Sequence, residues 1–351
     1  MLFRSIQSFL DQPGLPLVSA SLACDKGVAK LSLSQTRYLP LGTVGQGEEI
    51  YKVPVCLRYS EQGKEQRMCK LLDGKQADWT LPGVACPDYV VVNADALGYY
   101  RVQYSPQLLS ALTERAFFGK GAAKGAQKGA GQPALSEGER IALIGDQSAL
   151  MRIGRVPADS VLALATAAAS DESRHVVGIA AGVFSGLERV VPESQQLAYQ
   201  KHIVATFGRK QKELGILAKP KEDDNVKLLR GVLIRLVGGE GADKALIAEA
   251  TSLCRKWLGN RSSVDPETVR LALAVAAEPT EGGASEQRGP HFVENILGAA
   301  RPSLYGDNRA VFTLELSHEG ALLMRASLQD PGASQVAVIY DLEYRGLMPA
   351  Y

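Results

Sequence analysis

Two hydrophobic periodicities divide this chain, and they change over at residues 89–104. Before that stretch, apolar positions recur every second residue in short runs. Residues 18–23 and 28–33 flank Asp25-Lys-Gly27, a hairpin turn with glycine where a positive φ is needed, and 51–59 alternates around Val53, Val55 and Leu57 before turning at 60–64 and returning through 67–72. Trp79-Thr-Leu81 and the β-branched run at 89–92 come next, and residues 99–104 alternate as a last strand. Short strands with turns every 8–12 residues predict an antiparallel β-sandwich over 17–104.

After Pro106 the spacing lengthens to three and four, and helices succeed one another. The first is expected over 106–118. Ser136, three residues before Glu139, forms a capping box for the next. Pro157 starts a helix to Ala169, Asp171 caps one running to about Val191, and Pro192 opens a third. Tyr199, Ile203, Phe207 and Leu214 make one stripe, Leu229, Val232 and Leu236 another, and Leu246, Ala250, Leu253 and Trp257 a third. Asp265-Pro266 caps a helix with Val269, Leu273 and Ala276 as its core face. Amphipathic helices joined by short turns predict a solenoid-like helical domain over 105–280. A glycine- and lysine-rich insertion at 119–132 lacks the spacing of a phosphate-binding loop, so Lys120, Lys124 and Lys128 read as a solvated segment. Residues 281–290 form a linker. The remainder, 291–351, predicts a small α+β appendage: a strand through Phe312, Leu314 and Leu316, a helix over 318–328 capped by Ser317, and a strand alternating at Val336, Val338, Tyr340, Leu342 and Tyr344.

Composition narrows the class without naming a function. With 46% hydrophobic and 22% charged residues among 351, the chain is ordinary for a folded soluble protein, and a net charge of +1 provides no field to steer nucleic acid. The longest apolar run, 161–169, is too short for a membrane span, and no secretory pattern opens the chain. Five cysteines, Cys24, Cys56, Cys69, Cys86 and Cys254, are odd in number and form no Cys-x-x-Cys pair. They read as buried free thiols, which favours a cytoplasmic location. Asn260-Arg-Ser262 fits a glycosylation sequon but reads as a helix-end turn.

Three phrases carry a family resemblance. Val91-Val-Asn93 followed by Gly98-Tyr-Tyr-Arg101-Val-Gln-Tyr104 is similar to the phrase that closes the β-sandwich of the aminopeptidase N family of zinc aminopeptidases. Phe9-Leu-Asp-Gln12-Pro-Gly14-Leu-Pro16-Leu-Val18 resembles the point where that family's catalytic domain ends, and Glu139-Arg140 through Leu143 to Asp146 resembles a segment of its helical domain. The resemblance implies that 1–16 is the remnant of a catalytic-domain helix. It further implies that 17–104 and 105–280 are the non-catalytic sandwich and helical domains, which cap the peptide-binding cleft when the catalytic domain is present.

The chemistry expected of the full family is not written in this chain. His-Glu-x-x-His is missing: the four histidines, His175, His202, His291 and His318, include no pair at i and i+4, and leucine stands where His318-Glu319-Gly-Ala-Leu322 would need the second. Glu319 reads as a first-turn helix residue, and no nucleophile elbow is present. Adjacent carboxylates at Glu48-Glu49 and Asp223-Asp224 read as solvated turns. Tyr99, Tyr100 and Arg101 are expected to lock the sandwich to the first helix. No catalytic, cofactor-binding or metal residue is therefore assigned, zinc belonging to the family's missing catalytic domain. The expected partners are a peptide or an aminopeptidase catalytic domain. A stand-alone peptide- or protein-binding scaffold and an enzyme with an unrecognised site in 291–351 are the alternatives.

Overall fold

The structure is a computed structural model and describes residues 2–43, 49–61, 64–117, 135–219, 221–276, 310–316 and 322–328. Among the described residues, after a first helix come seven strands, then a run of helices, then a last pair of strands, in two compact units, Met1–Leu187 and Glu188–Tyr351.

In the first unit, β1 (Leu15–Asp25) and β2 (Val28–Tyr38) pair antiparallel through a two-residue turn in which both Lys26 and Gly27 have positive φ, 48° and 76°. This is the primed-turn geometry that matches the twist of a hairpin. β5 (Gln76–Thr80) joins β2, and β7 (Arg101–Tyr104) joins β1, giving the order β5-β2-β1-β7. A second sheet runs β4-β3-β6, from β3 (Val53–Glu61), β4 (Lys64–Leu72) and β6 (Tyr89–Val91). The β1–β7 pair is parallel, which corrects the expectation of purely antiparallel strands. After β6 the chain passes a 3-10 turn at Ala94–Ala96 and crosses into the other sheet, arriving in the same direction as β1. Both sheets contribute to one core, with Leu31, Leu33 and Trp79 from one and Val53, Val55, Leu57 and Tyr59 from the other. Gln35, itself buried, donates through Nε2 to the carbonyls of Tyr51 and Gly74 at 2.8 and 2.9 Å and accepts the Tyr51 N–H at 2.9 Å, tying the first sheet to the approach of β3. Helix α1 (Leu2–Leu10) lays Phe9 against Tyr51, ring centroids 5.4 Å apart.

Four further helices complete this unit. α2 (Pro106–Ala111) is capped by Ser105 and runs into a π-helical turn at Leu112–Phe117. α3 (Glu137–Arg152) starts at the capping box read from Ser136 and Glu139. α4 (Ala158–Ala168) comes after Pro157, and α5 is Arg174–Leu187. Asp171 does not cap α5 directly. Its carboxylate accepts the Ser173 N–H at 2.8 Å, and the Ser173 hydroxyl accepts from His175 and Val176. The helix stops at Leu187, short of Val191.

The second unit contains α6 (Glu193–Leu214), α7 (Asp224–Ile234), a π-helical turn at Arg235–Glu240, α8 (Lys244–Gly259) and α9 (Pro266–Ala276). The predicted α6 stripe is buried at Tyr199, Ile203 and Phe207. On α9 the core face is rotated from the expected one: Val269, Ala272 and Val275 are buried while Leu273 is only half covered. The cause is Gly238, whose missing side chain leaves room for Val275, a Cβ there falling 2.5 Å from Val275 Cγ1. Asp223 caps α7 by accepting the Asn225 N–H, and Asp224 pairs with Lys227, so this carboxylate pair serves a helix start. The last described elements are β8 (Ala310–Leu316) and β9 (Leu322–Leu328), an antiparallel hairpin. Residues 322–328 are therefore strand, correcting the helix expected over 318–328. Its backbone groups pair across the ladder with β8 instead. The strand expected at 336–344, the insertion at 119–132 and the linker at 281–290 lie outside the described residues.

The cysteines require a correction. Cys24 pairs with Cys86 and Cys56 with Cys69, across sequence separations of 62 and 13, and only Cys254 is a free, buried thiol, pushed up to about 11 by burial. Local spacing could not show this. Cys56 and Cys69 face each other only because β3 and β4 pair in that register, and Cys24 meets Cys86 only after the β1–β2 tip and the loop after β5 converge. The disulfides remove the argument from cysteine usage for a reducing compartment.

Candidate functional site

The densest polar constellation lies where the β4-β3-β6 sheet meets α3. β3 alternates, so Val55, Leu57 and Tyr59 enter the core while Arg58 points from the opposite face. In solvent that would be unremarkable, but Arg58 is 3% exposed because the start of α3 covers it. Its Nε donates to Glu139 Oε1 at 3.1 Å and its Nη2 to Oε2, a bidentate pair with a carboxylate that is itself buried. Nη1 donates to Glu65 on β4 and to the Tyr89 hydroxyl on β6, and that hydroxyl donates to Glu65 at 2.6 Å. Glu139 also accepts the N–H groups of Asp95 at 2.9 Å and Ser136 at 2.8 Å, so one side chain serves the helix cap, the hinge turn and the arginine. Burial works against the Arg58 charge, yet Glu139, with Tyr89 and Glu65, outweighs it and holds the guanidinium above its ordinary range. Burial and the Glu65 hydrogen bond push the Tyr89 phenol up. Outside, Arg67 makes a two-bond pair with Asp95 and holds that carboxyl below its usual range.

About two turns further along α3, Asp146 accepts the Val102 N–H at 2.9 Å and pairs with Arg101 at 3.1 Å. Arg101 lies over the Tyr38 ring, 5.0 Å from its centroid, and the Tyr38 hydroxyl donates to the Ala149 carbonyl. Glu139 and Asp146 both line a cavity of about 20 Å³ closed by Val91, Asn93, Val102, Tyr104 and apolar side chains of α3. That is space for about one water. Burial raises the Asp146 carboxyl to about 6, against the lowering effect of Val102 and Arg101.

This raised carboxyl makes stability depend on pH. A carboxyl whose pKa is higher folded than unfolded contributes stability that is complete below the unfolded value, near 4, and is lost as pH rises through about 6. The difference is on the order of 3 kcal/mol. Denaturant unfolding of the wild type and of Asp146→Asn, compared from pH 4 to 7, is expected to show this component only in the wild type. Parallel curves for the two proteins would contradict it.

Of the triplet expected to lock the sheets to the first helix, the structure divides the work. Tyr100 is buried and donates to the Val92 carbonyl at 2.7 Å within its own turn, Arg101 reaches α3, and Tyr99 is 72% exposed with its ring edge 6.3 Å from Phe9 on α1. The Arg101 pair thus runs to α3 and the Tyr99 ring contact to α1, while Tyr100 bonds within the hinge. Glu49, expected to be solvated, pairs with Arg37 at 2.7 Å and is held below the usual carboxylate range by backbone and Arg37 hydrogen bonds. Arg58 is absent from the residues singled out by sequence, where its only signal is an arginine inside a strongly β-patterned run. His175 and His202 are exposed helix residues, while His291, His318 and Glu319 lie outside the described residues. Among the described residues no group of three or more His, Cys, Asp or Glu is placed to hold a metal ion, so they do not fit the family's zinc. No helix among them is long and apolar enough to cross a membrane.

This geometry ties the β4-β3-β6 sheet to α3 through Arg58 and Glu139. Comparisons with known proteins match only part of each relative. The chain is 24% identical over 270 residues to the puromycin-sensitive aminopeptidase of Caenorhabditis elegans, covering 76% of this chain and 27% of that protein. It is 27% identical over 286 residues to the tricorn protease-interacting factor F2 of Thermoplasma acidophilum, covering 80% and 30%. It is 28% identical over 295 residues to aminopeptidase M1-A of Oryza sativa subsp. japonica, covering 78% and 30%. The chain thus spans about three tenths of the length of these relatives. The model of the ERAP1-like C-terminal domain matches residues 89–297, beginning at β6 and taking in Tyr89, Asp95, Glu139 and Asp146 of the polar clasp that Arg58 centres, and the chain belongs to that family.

Proposed function

We propose that this chain acts as the non-catalytic C-terminal region of an aminopeptidase N-like metallopeptidase, capping or limiting access to a peptide-binding cleft carried by a catalytic domain. On this reading the two sheets are a β-sandwich over 17–104, the helices of 105–280 form a solenoid-like array, and 291–351 is an appendage. The observation that carries it is the family match from β6 through the helices, which takes in Glu139 and Asp146, the α3 side of the clasp. The clasp supports a mechanical role, because a cap regulates access only if its support is stiff. Apolar surface supports a docking role: Ile6 and Leu10, one turn apart on α1, are 53% and 75% exposed. A peptide is the proposed substrate class only for the assembled enzyme.

The test measures release of a fluorophore from aminoacyl substrates and cleavage of a peptide length series, with and without zinc chelator. The chain alone is expected to be inactive, and a relative's catalytic region fused upstream is expected to cleave with a length preference that differs from the catalytic region alone. Chelator-sensitive turnover by the chain alone would overturn the assignment. An unchanged length profile in a folded fusion would favour the stand-alone binding scaffold.

A further inference from the structure

We propose that the Cys24–Cys86 disulfide is a site of thiol–disulfide exchange with small-molecule thiols, opened and closed without unfolding the sheets. Both of its cysteines are exposed. Cys24 lies near the end of β1 beside the Lys26-Gly27 turn, and Cys86 sits in the loop between β5 and β6. The other sulfurs are less accessible or less consequential. Cys69 is exposed but its partner Cys56 is half-buried, their bridge joins strands already paired from Val53↔Leu72 to Glu61↔Lys64, and Cys254 is buried. Exchange rates depend on access to the attacked sulfur, and Cys24–Cys86 is the bridge with both residues exposed and no strand ladder pairing them.

The bonds that remain decide the effect of opening. The Glu61 carboxylate accepts the N–H groups of Ala85 and Cys86, both at 3.0 Å, Gln66 donates to the Gly83 carbonyl at 3.2 Å, and the Tyr59 hydroxyl donates to the Pro82 carbonyl at 3.1 Å. These hold the loop on the β3–β4 side. Reduction therefore releases the β1–β2 tip from the loop and leaves both sheets paired. In the chemical step a thiolate attacks one sulfur and forms a mixed disulfide. The S–S electron pair leaves on the other sulfur, which takes a proton from water. A second thiol attacks the mixed disulfide, giving the oxidised small disulfide and the second protein thiol; two thiols are oxidised and one protein disulfide is reduced.

The purified full chain is titrated with glutathione, trapped with iodoacetamide and mapped by peptide mass, with far-ultraviolet circular dichroism on the same samples. The expected result is loss of the Cys24–Cys86 bridge at glutathione concentrations that leave Cys56–Cys69 intact and Cys254 unlabelled, with an unchanged spectrum and re-formation by oxidised glutathione. Cys24→Ser/Cys86→Ser should abolish the first labelling step and retain the spectrum. Opening of Cys56–Cys69 first, opening of both only with loss of the spectrum, or a chain whose Cys24 and Cys86 are already labelled without reductant would overturn the proposal.

Discussion

Arg58→Ala is expected to destabilise the Met1–Leu187 unit by about 3–5 kcal/mol, the cost of leaving a buried charge without its partner. The residue left behind is Glu139, 1% exposed at its side chain, which keeps the Asp95 and Ser136 N–H bonds but loses both guanidinium bonds. Glu65 is half exposed and can turn to water, so the loss is concentrated on the α3 side. Urea unfolding monitored by the fluorescence of Trp79, which is buried among the sheets, reads this unit directly once Trp257, in the other unit, is replaced by phenylalanine. Removing both charges with Arg58→Met and Glu139→Leu should recover part of the stability, because the penalty arises from the unpaired ion. A single variant that unfolds within about 1 kcal/mol of wild type would mean that the clasp is solvated and does not couple the sheets to α3.

Gly98→Ala is expected to cost about 3 kcal/mol, the upper end of what overpacking usually exacts. A Cβ at this position would lie 2.1 Å from Tyr100 Cε1 and 2.9 Å from Asn93 Oδ1. Neither neighbour can retreat. Tyr100 is 5% exposed with its hydroxyl on the Val92 carbonyl, and Asn93 grips Gly98 itself, accepting its N–H at 2.8 Å and donating to its carbonyl at 3.0 Å. The crossing from β6 to β7 depends on this close approach, so the variant should also weaken the Asp146 bond to Val102 just beyond it. Gly182→Ala is the control. That glycine lies in α5 with nothing within 4 Å of a Cβ, and alanine there should stabilise by about 1 kcal/mol. If the two alanine variants unfold alike in urea, the tight packing of Tyr100 on Gly98 is not part of the native state.

The asymmetry between these residues explains which parts of the molecule were readable. Alternation at Val53, Val55 and Leu57 and the three-and-four spacing of Tyr199, Ile203 and Phe207 are local consequences of side-chain direction in strands and helices, so the strand-then-helix order could be read directly. The capping boundary at Ser136 is equally local, since donor and acceptor lie three residues apart. The same logic misplaced the α9 face, where a glycine on another element makes the room, and gave a helix at 322–328, where cross-strand pairing competes with a helical spacing.

By itself the sequence determined the succession of strands and helices, the helix starts, the hinge at 89–104 and the resemblance to an aminopeptidase's C-terminal region. Only the tertiary structure decided that Arg58 and Glu139, 81 residues apart, form a buried pair, that β7 runs parallel to β1, and that four cysteines join in two bridges. The physical reason is range. Periodicity and capping act within a turn or a strand, whereas burial of a charge and the meeting of two sulfurs depend on which surfaces the whole chain brings together.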